Sequence, residues 1–313
     1  MMNNNFNDLR AAVVGIGGVG GYIAAMLCKH DKHITLAARG SRKESLSQNG
    51  ISMKSEMHGS FTAYPEKVTE TSDIGPQDII FICVKGFSVE QVCNELKEQV
   101  AANTIIVPVM NGVDNAEKIR KAFPKNIVLD SLIYISAFAN DDFSISQVGT
   151  IAPLYMGTTV NDERHKAAVH TVNAFLNEVG IDCQIPADIE AETWNKYILN
   201  CSQNVITAYY DCDTGHIREN PERTAQFETL MDEAWNVAKA KNINVTQADI
   251  DELMRKFRYV FPATSTTSLQ RDFHDGKPTE LEMFSGYIIK EADRLNVPVP
   301  LTKELYTQLL KRI

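Results

Sequence analysis

The chain contains no run of eighteen apolar residues, and its first ten, MMNNNFNDLR, are polar, so neither a membrane-spanning helix nor an apolar leader is expected. Its six cysteines (Cys28, Cys83, Cys93, Cys183, Cys201, Cys212) stand far apart with no C-x-x-C pair. That usage suits reduced thiols in a cytoplasmic protein better than a disulfide frame or a zinc site. Seven histidines show no H-x-x-x-H or carboxylate-paired spacing, so no metal is expected either. Positive charge is short as well. The 31 Lys and Arg against 40 Asp and Glu leave a net charge of −9, whereas a nucleic-acid partner needs clustered basic residues to neutralise phosphates. What is present is 313 residues with 44% hydrophobic content, enough to fill the cores of two domains.

From residue 10 to about 140, short apolar runs alternate with helix-compatible segments: "AAVVGIG", "HITLAAR", "DIIFICV", "TIIVPVM" and "NIVLDSLIYISAF". Continuous apolar strands of this kind belong to a mostly parallel sheet covered on both faces. "FSISQV" and "IAPLYMG", on either side of Gly149, read as a hairpin at the sheet edge, followed by an amphipathic helix near Asp162 to Val179. Beyond "IDCQIP" only helical periodicity remains, with capping-box patterns at Thr246-Gln-Ala-Asp249 and Thr279-Glu-Leu-Glu282. The expected organisation is therefore an α/β Rossmann domain over residues 1–186, with a doubly wound sheet, and an all-helical domain over 187–313.

Gly15-Ile16-Gly17-Gly18-Val19-Gly20 follows the first strand and opens a helix. In that context the glycines have separate tasks: a tight turn at Gly15, room for a pyrophosphate at Gly17, close helix packing at Gly20, with a helix N-terminus aimed at the phosphates. About 20 residues on, an NAD-binding chain would place an acid on the ribose; this one has Ala38-Arg39-Gly40-Ser41-Arg42-Lys43. A carboxylate would repel a 2′-phosphate, while a guanidinium grips it bidentately, so NADP(H) is the expected cofactor. Charged hydrogen bonds of about 1.5 to 3 kcal/mol would favour it by roughly one to two powers of ten. Lys85 and Asn111 end two further strands, on the edge where open α/β sheets collect ligands.

In the second domain, Trp194, Ile198, Cys201, Val205 and Ala208 recur at helical spacing as one apolar face, and Lys196, Asn200 and Asn204 form a stripe opposite. The eighteen residues Thr193 to Tyr210 carry one charge, Lys196, where the 23% average of the chain would give about four. A helix so poor in charge is buried, and buried amides need partners, which a cleft between the domains would supply. A lysine there is a candidate proton donor to a carbonyl oxygen. Farther on stand Ser268, Asp272 and Glu280, each of which a helix cap or first turn would also explain.

Taken together, the glycine loop with Arg39, "VKGF" with Lys85, Asn111-Gly112, "WNKYILNCSQN", and "TSLQRD" followed by "GKPTELE" resemble the ketopantoate reductase family over nearly the full length. The resemblance implies a Rossmann domain, a helical domain and an active site between them. It implies Lys196 as general acid, Glu280 on the substrate's hydroxyl, Asn200, Asn204 and Ser268 orienting its polar groups, and Lys85 and Asn111 near the nicotinamide ribose. The expected reaction is NADPH-dependent reduction of 2-dehydropantoate to (R)-pantoate. Two positions depart from the better-known members, where asparagines are common: Thr214, ten residues after Asn204, and Ser265, three before Ser268. They keep another branched or hydroxylated 2-oxo acid open as the substrate. Two remoter alternatives are a dinucleotide sensor without catalysis, which predicts a missing proton donor, and a methyltransferase, which gives Arg39 no role. A homodimer through an exposed apolar face of the helical domain is compatible with the pattern.

Overall fold

The structure, a computed structural model, describes residues 6–30 and 33–313, and the chain divides into two compact units, Met1–Ile189 and Glu190–Ile313. In the first, strands β1 (Ala11–Val14) and β2 (Ile34–Ala37) are linked by helix α1 (Gly18–His30), and α2 (Gly40–Asn49) leads to β3 (Ile51–Ser55), β4 (Gly59–Ala63) and β5 (Lys67–Thr69). Then come β6 (Ile79–Ile82), α3 (Val89–Leu96), β7 (Ile105–Pro108), α4 (Asn115–Ala122) and β8 (Ile127–Val128). The main sheet is parallel throughout, in the order β5-β2-β1-β6-β7-β8, the doubly wound order of a dinucleotide-binding fold. Alternate side chains of its strands feed two cores. Ala11, Val13, Leu36 and Phe81 join α1 in one, while Ala12, Val14, Ile80 and Ile82 join α3 and α4 in the other. Both faces are covered, which is why these strands read as unbroken apolar runs.

Helix α1 has no water-facing side between Gly20 and Cys28 because a second sheet lies over it. That sheet, β10-β11-β3-β4, is formed with β10 (Ser136–Ala139) and β11 (Ile145–Val148). Its approach is close: a Cβ added at Gly18 would lie 2.1 Å from the Ala137 carbonyl oxygen, and one at Gly21 would lie 2.2 Å from Ile145 Cδ1. A helix apolar all round is a buried helix.

This second sheet corrects the expected hairpin around Gly149. β11 pairs with β10 and β3, whereas β12 (Leu154–Gly157) pairs with β9 (Asp130–Ile133) and β13 (Cys183–Gln184) in a third sheet. Gly149, at φ +89°, turns the chain from one sheet to the other instead of folding it back. The real hairpin joins β10 to β11 through Asn140, whose backbone N–H donates to Ser144 O at 2.8 Å, with Phe143 at φ +65°. Helix α5 (Glu163–Glu178) starts where the Asp162 carboxylate accepts the His165 N–H.

The second unit is helical: α6 (Ile189–Tyr210), α7 (Thr214–Arg218), α8 (Pro221–Ala240), α9 (Gln247–Tyr259), α10 (Ser268–His274), α11 (Tyr287–Leu295) and α12 (Pro300–Leu310). The apolar face of α6 is buried at Trp194, Ile198, Cys201, Val205 and Ala208. Thr246 and Asp249 close the capping box that starts α9. The box expected at Thr279 does not form, because the helix begins one residue beyond Glu280 and opens at once into a π turn over Glu282–Gly286. Glu280 is the flanking residue instead, and its carbonyl accepts the N–H groups of Met283 and Phe284.

Candidate active site

In a parallel sheet the carboxyl ends of all strands share one edge. That edge carries Gly15 after β1, Arg39 after β2, Lys85 after β6 and Asn111 after β7. Gly15 sits at φ +93°, and a Cβ there would meet Val84 Cγ1 at 2.6 Å and Cys83 O at 2.9 Å. Gly20 is shut in just as tightly, with Gly15 O at 2.0 Å from the place a Cβ would take. At Gly17 the reverse holds: nothing lies within 4 Å. The loop is thus shut in at Gly15, Gly18 and Gly20 and open at Gly17, beside the first-turn N–H groups of α1, Gly18 to Gly20, which have no partner within the helix. A cradle of that shape and polarity fits the pyrophosphate of a dinucleotide.

Arg39 is the N-cap residue of α2, exposed, and paired with the Glu95 carboxylate of α3. Arg42 is turned toward the glycine loop: its guanidinium donates to the Ile16 carbonyl and lies over the Phe143 ring, 4.8 Å from the centroid. Burial lowers its pKa from the ordinary arginine value. Lys85 precedes a short 3-10 turn, where its carbonyl accepts the Ser88 N–H at 2.9 Å. The Asn111 carbonyl accepts from the Asn115 side chain, and Gly112 follows at φ +97°.

In the helical unit, Lys196 is only partly exposed on α6 and Glu280 is buried. Burial pushes the Lys196 ammonium down to about 8, against the pull of the Glu280 charge, which raises it. Two α6 side chains hold the Glu280 segment in place. Tyr197 O–H donates to Met283 O at 2.5 Å, and Cys201 Sγ–H donates to Phe284 O at 3.1 Å. Both carbonyls belong to the π turn, so the residues next to Lys196 and Asn200 in sequence take up backbone groups just beyond Glu280.

Asn204 and Ser268 are brought together. Asn204 Oδ1 accepts from Ser268 Oγ at 3.2 Å and from the Leu269 N–H at 3.3 Å. A backbone N–H only donates, so it fixes the orientation of the amide and leaves Nδ2 as the donor that Asn204 presents elsewhere. Asn200 lies one turn earlier on the same stripe, partly exposed. Thr214 and Ser265 also meet: Thr214 is fully buried, its N–H and Oγ1 both donate to Ser265 O, and Gln203 Nε2 donates to its hydroxyl at 3.1 Å. Sequence reasoning missed Glu95, Tyr197, Cys201 and Gln203. The i, i+4 pair Gln91 and Glu95 was the only local signal for the first, and the other three have partners more than ten residues away.

Two family models match the chain: "Ketopantoate reductase PanE/ApbA" over residues 11–161 and "Ketopantoate reductase PanE/ApbA C terminal" over 188–312. The chain belongs to the ketopantoate reductase family. It is therefore an oxidoreductase, of a family that uses nicotinamide dinucleotides. Among relatives, it is similar to the uncharacterized oxidoreductase YkpB of Bacillus subtilis, 27% identical over 96% of this chain and 98% of the other. It is also similar to the 2-dehydropantoate 2-reductase of Archaeoglobus fulgidus, 25% identical over 95% of each. Of solved structures, that of 2-dehydropantoate 2-reductase from Porphyromonas gingivalis superposes with a TM-score of 0.81 at 26% identity, over 96% of this chain and 99% of that one. The dimeric ketopantoate reductase of Staphylococcus aureus shares the fold, with a TM-score of 0.80 at 23% identity over 97% and 98%. No helix among the described residues is long and apolar enough to cross a membrane.

Proposed function

We propose that this enzyme reduces 2-dehydropantoate to (R)-pantoate with NADPH, Lys196 serving as general acid. The observation that carries the reading is a half-buried lysine on α6, Lys196, that lies within the field of the buried Glu280 carboxylate. When bound, the dinucleotide supplies a hydride to the carbonyl carbon. Lys196 gives its proton to the carbonyl oxygen and becomes a neutral amine, which takes a proton from solvent before the next turnover. A pKa near 8 suits that task, since the group is charged at neutral pH yet yields its proton more readily than an ordinary lysine. Glu280 accepts a hydrogen bond from the substrate's hydroxyl. The Nδ2 donor of Asn204, with Asn200, binds its carboxylate, and Ser268 orients that amide by donating to Asn204 Oδ1. Gly15 to Gly20 hold the pyrophosphate, Arg39 the 2′-phosphate, and Lys85 and Asn111 the nicotinamide ribose. The domain roles follow, with residues 1–186 binding NADPH and 187–313 binding substrate.

A second reading, reduction of a different 2-oxo acid, is supported by Thr214, whose hydroxyl is spent on Ser265 O and is not available to a substrate. Initial rates of NADPH and NADH oxidation with ketopantoate and a panel of branched 2-oxo acids, beside Lys196→Ala, separate the two. Turnover of another acid at a higher kcat/KM than ketopantoate would replace the first reading by the second. We also propose a cytoplasmic location, which six free thiols suit, and a homodimer, by similarity to the dimeric ketopantoate reductase of Staphylococcus aureus. Light scattering of the purified protein checks the assembly.

A further inference from the structure

The cation expected to read the 2′-phosphate already has an anion. Arg39 Nη2 donates to Glu95 Oε1, and that same oxygen accepts from Gln91 Nε2 at 2.9 Å. Burial alone would raise the Glu95 carboxyl, but the hydrogen bonds from Arg39 and Gln91 and the guanidinium's charge hold it below the usual carboxylate range. It is ionised at neutral pH. The neighbouring cations are engaged elsewhere, Arg42 on the Ile16 carbonyl and Lys43 with Glu70 at 3.4 Å. A phosphate arriving at Arg39 would therefore meet a carboxylate in its place, and two anions on one guanidinium repel. Glu95 also has somewhere to go. It lines an open depression of about 530 Å³ with Glu90, Gln91 and Asn94 of α3 and Phe87 of the 3-10 turn before it.

We propose that Glu95 competes with the 2′-phosphate for Arg39 and so sets how strongly the enzyme prefers NADPH over NADH. This rests on Arg39 being the group that reads the 2′-phosphate. Binding of NADPH exchanges one ion pair for another and turns Glu95 into the depression. NADH, which lacks the phosphate, leaves the Arg39–Glu95 pair intact. The preference of the wild-type enzyme is then smaller than an unopposed arginine would give.

The test is calorimetric titration of the whole chain with NADPH and with NADH, for wild type, Glu95→Gln, Arg39→Ala and the double variant. Glu95→Gln keeps the size of the side chain and is expected to tighten NADPH about fivefold, the upper range for an exposed ion pair, with NADH changed less than twofold. In the double variant that gain should vanish, since the two residues act on one ligand group. NADH binding reports that each variant is folded, and Glu95→Ala checks that the gain does not depend on the new amide. If Glu95→Gln weakens NADPH or leaves the NADPH to NADH ratio unchanged, while Arg39→Ala lowers that ratio, Glu95 only braces Arg39 and the competition is overturned. If Arg39→Ala leaves the ratio unchanged, the 2′-phosphate reading falls and takes this inference with it.

Discussion

The two ends of this enzyme are built from different material. The dinucleotide end is mostly backbone: glycines whose missing Cβ atoms make room, unpaired N–H groups at the start of α1, and strand ends that share an edge because the sheet is parallel. The substrate end is side chains on α6, held in register with Glu280 by hydrogen bonds to partners more than sixty residues away. A backbone site is fixed by local conformation and tolerates change around it. A side-chain site depends on every contact that keeps two helices in phase.

The sharpest way to break this contrast is at Lys196. Its alanine variant should lose about 10²- to 10⁴-fold in kcat with nicotinamide-cofactor affinity retained, as read by steady-state rates and cofactor titration. Next in size is Arg39→Ala, expected to weaken NADPH by roughly 2- to 20-fold and NADH little, the worth of a charged hydrogen bond less the competition from Glu95. The glycine loop should separate stability from binding. Gly20→Ala forces a Cβ to 2.0 Å from Gly15 O and should lower the unfolding free energy by about 1 to 3 kcal/mol. Gly17→Ala meets nothing within 4 Å in the protein, so thermal unfolding should stay put while cofactor affinity falls.

Acidity sharpens the comparison further. Lys196 donates a proton only when charged, so kcat for reduction should be full below pH 8 and decline as pH rises through about 8. Glu280 raises that pKa, and Glu280→Gln should therefore move the inflection of the residual activity to lower pH. An unmoved inflection would mean that another group titrates. The smallest effect is expected at Tyr197→Phe, which leaves Met283 O without its donor and should cost about 1 kcal/mol of stability, with a modest drop in kcat as Glu280 loosens.

What the sequence made legible follows the same division. β1, α1, β2, β6 and β7 announce themselves because each is a short apolar run buried on both faces, and the glycine spacing is a local device. The β3–β4 pair escaped notice: "ISMKS" and "GSFTA" mix exposed polar residues with buried Met53 and Ile51, since their sheet covers α1 on one face only. The run "NIVLDSLIYISAF" looked like one strand and is three, β8, β9 and β10, each in a different sheet, because nothing in an apolar pattern marks where a strand changes partner. The stripe of Lys196, Asn200 and Asn204 was visible as helical spacing on a helix nearly free of charge. Its bracing by the π turn was not, because a widened turn is set by tertiary hydrogen bonds and leaves no spacing rule behind. Thr279 illustrates the cost: a capping pattern was present, but the helix starts only at Leu281, past the buried Glu280.

Helix α1 is jacketed on every side, with the main sheet beneath and the second sheet above. Its amide protons can reach water only if one of those sheets lifts away, so exchange along Tyr22 to Leu27 should follow opening of the whole first unit rather than fraying of a helix. The glycine loop is thus mounted at the end of a helix buried from Gly20 to Cys28. Cofactor arrival then has no ordering of that segment to accomplish, and most of the conformational cost of binding falls on side chains such as Arg39 and Glu95 instead.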